Sequence, residues 1–126
     1  MRGHTGAVTT IMHDTADLDR VAAFWTRVLG LGIAYQDDRY VYLDQLSPNG
    51  PRLAFQLVPE SKSTKNRLHL DLQVPDRSAF VELVETLGGS VLVADHREGE
   101  FPPWTVLADP EGNEFCVYEA PEPPTP

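Results

Sequence analysis

The stretch NRLHLDLQVPD, residues 66–76, decides the fold of this chain. From residue 67 to residue 74 apolar and polar side chains alternate, which predicts a strand with one face in a core and a polar opposite face. Asp76 then stands where a helix N-cap is expected, and Gly88 and Gly89 mark a helix end. Between them lie apolar residues at helical spacing, namely Phe80, Val81, Val84 and Leu87. The stretch therefore predicts a strand that leads directly into a capped helix.

Three further strands are predicted after this helix, at residues 90–94, 104–108 and 113–119. The last two are separated by DPEG, residues 109–112, whose Asp, Pro and Gly suit a tight turn. The first half of the chain repeats this order. It predicts one strand before a helix that begins after Asp17 and three strands after it, at residues 8–14, 33–36, 39–44 and 52–58.

The two halves align at a fixed offset, since Asp17 falls on Asp76 (76 − 17 = 59) and Gly30 falls on Gly89 (89 − 30 = 59). Each copy of such a repeat needs a neighbour to cover its sheet. We therefore predict an α+β fold in which two βαβββ modules form a curved mixed sheet around a cleft. The modules are residues 8–59 and 66–119 of a single domain spanning residues 1–126, and residues 120–126 are predicted to be a flexible tail.

Composition excludes several classes of protein. The 10 Lys and Arg residues are outnumbered by 19 Asp and Glu residues, so the net charge of −9 argues against binding to nucleic-acid phosphates. No apolar run approaches the ~20 residues that a membrane-spanning helix needs. The single cysteine, Cys116, cannot form an internal disulfide. We therefore expect a protein of the reducing cytoplasm that binds neither nucleic acid nor membrane.

Candidate site residues lie on the polar side of the strand at 67–74, which carries four side chains, Arg67, His69, Asp71 and Gln73. The offset of 59 makes Thr10 equivalent to His69, with Met12 and Asp14 as its companions on the same side. His69 can act as a metal ligand or an acid–base group, or it can be a structural histidine satisfied by Asp71. Asp14 and Asp71 can act as general bases, or they can be solvated or ion-paired carboxylates.

Other candidates follow from strand alternation and from aromatic content. Tyr118 lies on the same side of its strand as Cys116, whose thiol is either a nucleophile or a small buried group. Tyr42 and Trp104, with Tyr40, offer aromatic surface for a flat ligand, although aromatic residues on such strands often pack in the core. Residues 95–100 are predicted to be a loop that covers the mouth of the cavity.

Three segments, NRLHLDLQVPD at 66–76, AAFWTRVLG at 22–30 and DPEGNEF at 109–115, resemble the vicinal oxygen chelate superfamily. That superfamily includes glyoxalase I, extradiol dioxygenases, and fosfomycin- and bleomycin-resistance proteins, and the chain is most similar to its glyoxalase-like bacterial branch. The resemblance implies metal-ligand positions on the first and last strand of each module, which here are four residues, Thr10, Gln56, His69 and Cys116. Because Thr and Cys replace the usual His, Glu or Gln, the resemblance implies an atypical or absent site for a divalent metal (Zn, Ni, Mn or Fe).

Two functions follow as expectations from this resemblance. The first is a lyase, isomerase or dioxygenase type of enzyme acting on a small oxygenated metabolite. In that enzyme His69, Asp71 and Asp14 would be catalytic, and the substrate would contact six residues, Arg67, Gln73, Tyr42, Trp104, Tyr118 and Met12. The second is a metal-free protein that binds and sequesters a small molecule, as bleomycin-resistance proteins do. In both cases the resemblance implies a homodimer.

Overall fold

The computed structural model describes residues 5–119, so the predicted tail at 120–126 lies outside the described residues. The chain divides into two compact units, with the boundary between Ser61 and Lys62. Each unit contains one four-stranded sheet and one helix. The predicted α+β fold of two βαβββ modules is confirmed.

In the first module the strands and the helix are, in order, β1 (Thr10–Thr15), α1 (Leu18–Leu29), β2 (Ile33–Gln36), β3 (Tyr40–Gln45) and β4 (Arg52–Leu57). The spatial order of the strands is β1-β4-β3-β2, with β1 parallel to β4 and the other pairs antiparallel. A parallel pair needs a crossover connection, and the chain from β1 to β4 supplies it.

Helix α1 begins and ends as its sequence predicts. The Asp17 carboxylate accepts a hydrogen bond from the backbone N–H of Arg20 (3.1 Å), and Gly30 ends the helix in the left-handed conformation (φ 66°). Val21, Phe24 and Trp25 of this helix are fully buried or nearly so. The His13 ring packs edge-on against Trp25 with 6.2 Å between ring centroids, which confirms that His13 lies on the helix side of β1.

In the second module the elements are β5 (Leu70–Val74), α2 (Arg77–Thr86), β6 (Ser90–His96), β7 (Trp104–Ala108) and β8 (Glu114–Glu119). Their spatial order is β5-β8-β7-β6, again with the first pair parallel and the others antiparallel. The Asp76 carboxylate caps α2 by accepting from the Ala79 N–H (3.1 Å). The residue with a positive φ after α2 is Gly88 (φ 95°) rather than Gly89, so the offset between the helix ends is 58 (88 − 30).

Two predictions for the second module are wrong in detail. The first strand begins at Leu70 rather than at residue 67, and Leu68 is 82% exposed rather than packed in the core. Of the apolar stripe predicted for α2, Val84 is fully buried, while Phe80, Val81 and Leu87 are half-buried. Alternation detects the polar and apolar faces of a strand but not where its ladder of hydrogen bonds starts.

The helix of each module covers one face of its own sheet, which leaves the opposite face, called here the open face, for other uses. Residues on the helix side form the core, as Leu53 and Phe55 do in β4 and Phe115 and Val117 do in β8. Residues that alternate with them, such as Gln56, Cys116 and Tyr118, are partly accessible. No helix in the described part of the chain is long and apolar enough to cross a bilayer.

Candidate functional site

Three potential metal-binding or catalytic side chains meet on the open face of the second module. His69 lies directly before β5, Asp71 lies on β5, and Cys116 lies on β8 as the register partner of Asp71. One donor atom from each residue lies within 4.8 Å of the donor atoms of the other two. These three residues are called the donor cluster below. All three were candidates in the sequence analysis, and the structure brings them together.

The His69 ring is oriented by Asp71. Nδ1 of His69 is 3.1 Å from Oδ1 of Asp71, although both side chains are about half exposed (47% and 60%). The carboxylate lies on the Nδ1 side of the ring, so Nε2 is the nitrogen that remains available to other groups. The contact exists because residues two apart on a strand point to the same side, and His69 keeps that alternation although it precedes the ladder.

The segment that carries His69 is attached to the last strand of the module. Glu114 accepts a hydrogen bond from the backbone N–H of Asn66 (2.9 Å) and pairs with the ammonium group of Lys62 (3.2 Å). Burial acts to raise the pKa of Glu114, but these two hydrogen bonds outweigh it and hold that pKa below its usual value. Asn66 also donates from its side chain to Asn113 (3.2 Å). The segment entering β5 is thereby fixed to the start of β8.

Cys116 is half-buried, and burial raises the pKa of its thiol, with a further contribution from the negative charge of Asp71. A thiol with a raised pKa is a weak nucleophile at neutral pH because little thiolate is present. The environment of Cys116 therefore favours a role as a ligand or as a packed thiol over that of an activated nucleophile. A metal ion would reverse this preference by displacing the proton.

The donor cluster forms part of the wall of a pocket of about 580 Å³. The other lining residues are Glu98, Phe101, Pro102, Trp104 and Tyr118. Trp104 and Tyr118, which were predicted to contact the substrate, thus line the same pocket as His69 and Asp71, which were predicted to be catalytic. A mostly apolar cavity with a few convergent polar groups is the usual form of a small-molecule site.

Sequence reasoning predicted a loop at the mouth of the cavity but missed two of the residues that line it. Glu98 belongs to the predicted loop, whereas Phe101 and Pro102 follow it, and Phe101 is 72% exposed. The available signal was the segment FPPW at 101–104, in which aromatic residues flank two prolines next to a strand. The loop also begins later than predicted, because β6 continues to His96.

His96 falls within the loop predicted at residues 95–100, whereas the structure places it at the end of β6. Its ring stacks on Trp104 with 4.4 Å between centroids, and its Nε2 is 3.5 Å from a carboxylate oxygen of Glu98. Trp104 and Tyr118 are register partners, as are His96 and Trp104. The three rings therefore form one row across the open face, called here the aromatic row.

The remaining candidates belong to the open face of the first module or to the margins of the pocket. Thr10 pairs in register with Arg52, whereas Gln56 pairs with Asp14, so Thr10 and Gln56 are four positions apart, or about 13 Å along the strands. Met12 is partly exposed and is the register partner of Ala54. Arg67 and Gln73 are exposed and are not among the residues that line the pocket.

The first module has an aromatic cluster instead of a donor cluster. The Tyr42 ring lies 6.1 Å from that of Tyr35 and 6.3 Å from that of Tyr40. Tyr35 donates a hydrogen bond to Asp37 (2.6 Å), and Gln56 donates to the hydroxyl of Tyr40 (3.5 Å). The predicted aromatic surface therefore divides between the modules, with the tyrosines in the first and Trp104 in the second.

The donor cluster fits a divalent ion of the zinc type. Imidazole nitrogen, thiolate sulfur and carboxylate oxygen are the three ligand types that zinc accepts, and catalytic zinc sites commonly use three protein ligands. Ligand atoms around a tetrahedral zinc are about 3.5 Å apart, so donor atoms within 4.8 Å of one another need small side-chain rotations to converge. Asp71, predicted as catalytic, belongs to this set together with His69 and Cys116, which were predicted as metal ligands.

Comparison with known proteins adds the following. The sequence model of a family described as glyoxalase-like domain matches residues 10–118. Among curated proteins, none matches the chain.

Three solved structures share the fold at low sequence identity. A glyoxalase/bleomycin resistance protein/dioxygenase family enzyme from Burkholderia phytofirmans PsJN superposes with a TM-score of 0.74 at 19% identity, covering 90% of this chain and 98% of the other. A fosfomycin resistance protein from Listeria monocytogenes gives 0.72 at 12% identity, covering 93% and 95%. A lactoylglutathione lyase from Agrobacterium tumefaciens gives 0.64 at 19% identity, covering 93% and 96%. At such identities the likeness concerns the fold.

Proposed function

Because the chain belongs to the glyoxalase-like domain family of the vicinal oxygen chelate superfamily, we propose that it is an enzyme acting on a small oxygenated molecule. The reaction is of the lyase, isomerase or dioxygenase type, and the pocket of the second module is its site. The observation that supports this proposal best is the donor cluster beside a pocket with apolar walls. Family members related by fold include proteins described as a lyase and as a resistance protein, so fold alone does not select the reaction.

The chemistry of the pocket starts with its walls. Phe101, Pro102, Trp104 and Tyr118 hold the apolar part of a substrate and exclude water, which strengthens electrostatic interactions with the polar groups. His69 is the proton carrier of the proposed site. Its Nε2 takes a proton from a carbon beside a carbonyl group and leaves an enolate, while Asp71 stabilises the imidazolium that forms. The proton returns from Nε2 to the product in a later step.

A divalent metal, when bound, would be held by His69, Asp71 and Cys116 and would polarise a substrate oxygen. In that form His69 serves as a ligand rather than as a proton carrier. Asp71 then contributes a ligand oxygen, and the thiol of Cys116 must lose its proton. A thiolate ligand favours zinc over manganese or iron, since sulfur is a soft donor.

The test combines metal analysis with substitution. Chain purified without a chelating tag is exchanged into Co²⁺, and its thiolate-to-cobalt absorption is recorded for the unaltered chain and for His69→Ala and Cys116→Ser. Thr10→Ala is the matched control, because the family resemblance implies a ligand there while the geometry of the first module does not support one. Loss of the band in the His69 and Cys116 variants alone supports the metal-loaded form.

Turnover is tested on α-hydroxy and α-keto carbonyl compounds and on catechols, after a thermal-shift screen for binding. His69→Ala should abolish turnover of any substrate found, while compounds that contact only the apolar walls should still bind. Turnover that persists in this variant contradicts the assigned centre. If no compound shifts the melting temperature and none is turned over, the enzyme proposal fails.

A second candidate function is the binding and sequestration of a flat cationic compound without catalysis. The pocket combines aromatic walls with the carboxylates of Asp71 and Glu98, and within residues 5–119 no lysine or arginine lines it. Aromatic rings and carboxylates together attract organic cations. 2-Naphthylmethylammonium and 2-naphthoate, probes of similar shape and opposite charge, discriminate this candidate, since it requires that the cation binds more tightly.

We also propose that the chain forms a homodimer and works in the cytoplasm. The half-buried lone thiol suits a reducing compartment, and the acidic composition supports the absence of nucleic acid among its partners. Light scattering across a range of concentrations tests the dimer, and a monomeric mass throughout contradicts it.

A further inference from the structure

Arg77, the first residue of α2, contacts three strands of its sheet on the face that the helix covers. Its Nη1 donates to Asp95 of β6 (3.1 Å) and to the hydroxyl of Thr105 of β7 (3.4 Å). Its Nε donates to Glu119 of β8 (3.3 Å), whose carboxylate also accepts from the backbone N–H of Arg77 (3.4 Å). Only 18% of the arginine side chain is exposed. One guanidinium thus connects the ends of three adjacent strands on the helix side of the sheet.

Each of these three partners is the sequence neighbour of one member of the aromatic row. Asp95 precedes His96, Thr105 follows Trp104, and Glu119 follows Tyr118. Successive residues of a strand point to opposite faces, so the contacts of Arg77 lie directly behind His96, Trp104 and Tyr118. Two of these rings line the pocket and the third stacks on Trp104.

The strand β6 needs such an attachment because its pairing with β7 is irregular. Val93 pairs with Val106 and His96 pairs with Trp104, so β6 has one more residue than β7 between these pairs. An extra residue bends a strand and loosens the orientation of the side chains that follow it. The hydrogen bond from the Thr105 hydroxyl to the Ala94 carbonyl (2.8 Å) and the contact between Arg77 and Asp95 restrain β6 here.

We propose that Arg77 is a positioning residue for the pocket: it holds β6, β7 and β8 from the helix side, so that the aromatic row takes its ligand-binding arrangement. The same contacts fix the start of the loop that supplies Glu98 and Phe101, because Asp95 also binds Arg97 (2.8 Å). An arginine suits this role since its planar fork reaches several acceptors at once, whereas a lysine ammonium is a single point. Hydrogen bonds from Arg97 and Arg77 hold the pKa of Asp95 below its usual value, which keeps this acceptor charged at neutral pH.

The positioning role is tested without any ligand. The chain has two tryptophans, Trp25 in the first module and Trp104 in the second, so fluorotryptophan labelling gives two resonances, which Trp104→Phe assigns. Arg77→Met keeps the aliphatic stem and removes the guanidinium. It should shift or broaden the Trp104 resonance and leave that of Trp25 unchanged, and Arg77→Lys should restore the resonance in part. Arg20→Met is the control, since the one ion pair of Arg20 among the described residues is with the neighbouring cap Asp17 (3.9 Å).

A second arm measures binding of 2-naphthylmethylammonium, which Arg77→Met should weaken about threefold or more. This inference rests on the proposed function only for that arm. If the probe does not bind the unaltered chain, the proposed pocket fails while the resonance still tests positioning. A folded Arg77→Met chain with a lower melting temperature and an unchanged Trp104 resonance overturns the proposal. Should this variant not fold, Asp95→Asn and Glu119→Gln replace it, and a Trp104 resonance that is unmoved in both of them overturns the proposal equally.

Discussion

The open faces of the two modules share one strand order and differ in chemistry. In the first module Met12 pairs with Ala54, and at the equivalent place in the second Asp71 pairs with Cys116. Two residues further along the last strand of each module, Gln56 pairs in register with Tyr40 in the first module. Tyr118 pairs in register with Trp104 in the second. The strand order, the parallel pair and the Asp N-caps are common to both.

This difference shows which residues specify the fold and which are available for function. Most residues that face the helix are apolar in both modules, because each sheet must bury one face. Residues on the open face need not be apolar for the module to fold. The open face of the first module therefore holds a tyrosine cluster, while that of the second holds potential metal ligands. Within residues 5–119 the cluster of potential metal ligands therefore lies on one of two modules with the same strand order.

The largest expected effect comes from transferring the donor cluster. Thr10→His, Met12→Asp and Ala54→Cys together place the three donor types at the equivalent positions of the first module. If the donor cluster holds one Co²⁺, as proposed, and the backbone of β1 and β4 matches that of β5 and β8, the triple variant should bind two equivalents. The intensity of the thiolate-to-cobalt band measures this directly.

The double variant Thr10→His with Met12→Asp is the control, since it lacks the thiolate and should add no band. Absence of a second band in the folded triple variant would mean that the scaffolds are not interchangeable. The segment before β5 would then be the reason, because its attachment through Glu114 to Asn66 and Lys62 belongs to the second module.

The next largest effect is a difference in stability loss between substitutions in the cores of the two modules. Trp25 is completely buried and contacts Phe24 and His13, whereas Val84 is the one fully buried side chain of α2. We expect Trp25→Ala to lower the free energy of unfolding by about 3–5 kcal/mol and Val84→Ala by about 2 kcal/mol. Denaturant unfolding measures both, and an equal or greater loss from Val84→Ala would contradict the ranking.

Particular residues show how much of the fold can be predicted from the sequence. The two Asp caps and the alternation at 70–74 are local signals, and each is confirmed. The start of β5 was placed three residues too early because Leu68 continues the alternation, although it lies outside the ladder and is exposed. Local pattern thus identifies elements well and their boundaries less well.

The site was predicted in part. His69, Asp71, Cys116, Trp104 and Tyr118 all lie at one pocket.

The family resemblance implied Gln56 as the counterpart of Cys116 in the first module, whereas the strand register makes Ala54 its counterpart. The connection between β6 and β7 is longer than that between β2 and β3, and an insertion in a loop changes the count without changing the pairing.

A smaller effect tests what the modules share. The carboxylates of Asp17 and Asp76 each accept a hydrogen bond from a backbone N–H at 3.1 Å, and both contacts are exposed. Asp17→Ala and Asp76→Ala should therefore each lower the free energy of unfolding by about 1 kcal/mol. Denaturant midpoints of the two variants should agree. A clearly larger loss at one cap would show that the helix starts differ in more than their packing.

The smallest effect concerns the ends of β2 and β6, which are equivalent edge strands of the two sheets. At each end an aromatic residue is followed two positions later by an acidic residue. Tyr35 donates to Asp37 (2.6 Å) after β2, and His96 contacts Glu98 (3.5 Å) after β6. The hydrogen bond to Asp37 raises the pKa of Tyr35, and the same bond lowers the pKa of Asp37. The lowered carboxyl pKa adds stability that is present above the unfolded pKa of Asp37 and is lost as the pH falls through the folded pKa.

Asp37→Asn should therefore bring the Tyr35 pKa back towards its ordinary value and make stability less sensitive to acid. Phenolate absorbance across an alkaline titration measures the first effect, and thermal unfolding at several acidic pH values measures the second. Glu98→Gln is the control, since it alters the equivalent end of the other module and should leave the Tyr35 titration unchanged. If Asp37→Asn also leaves it unchanged, solvent screens this exposed pair in solution, and the ends of β2 and β6 differ less than their contacts suggest.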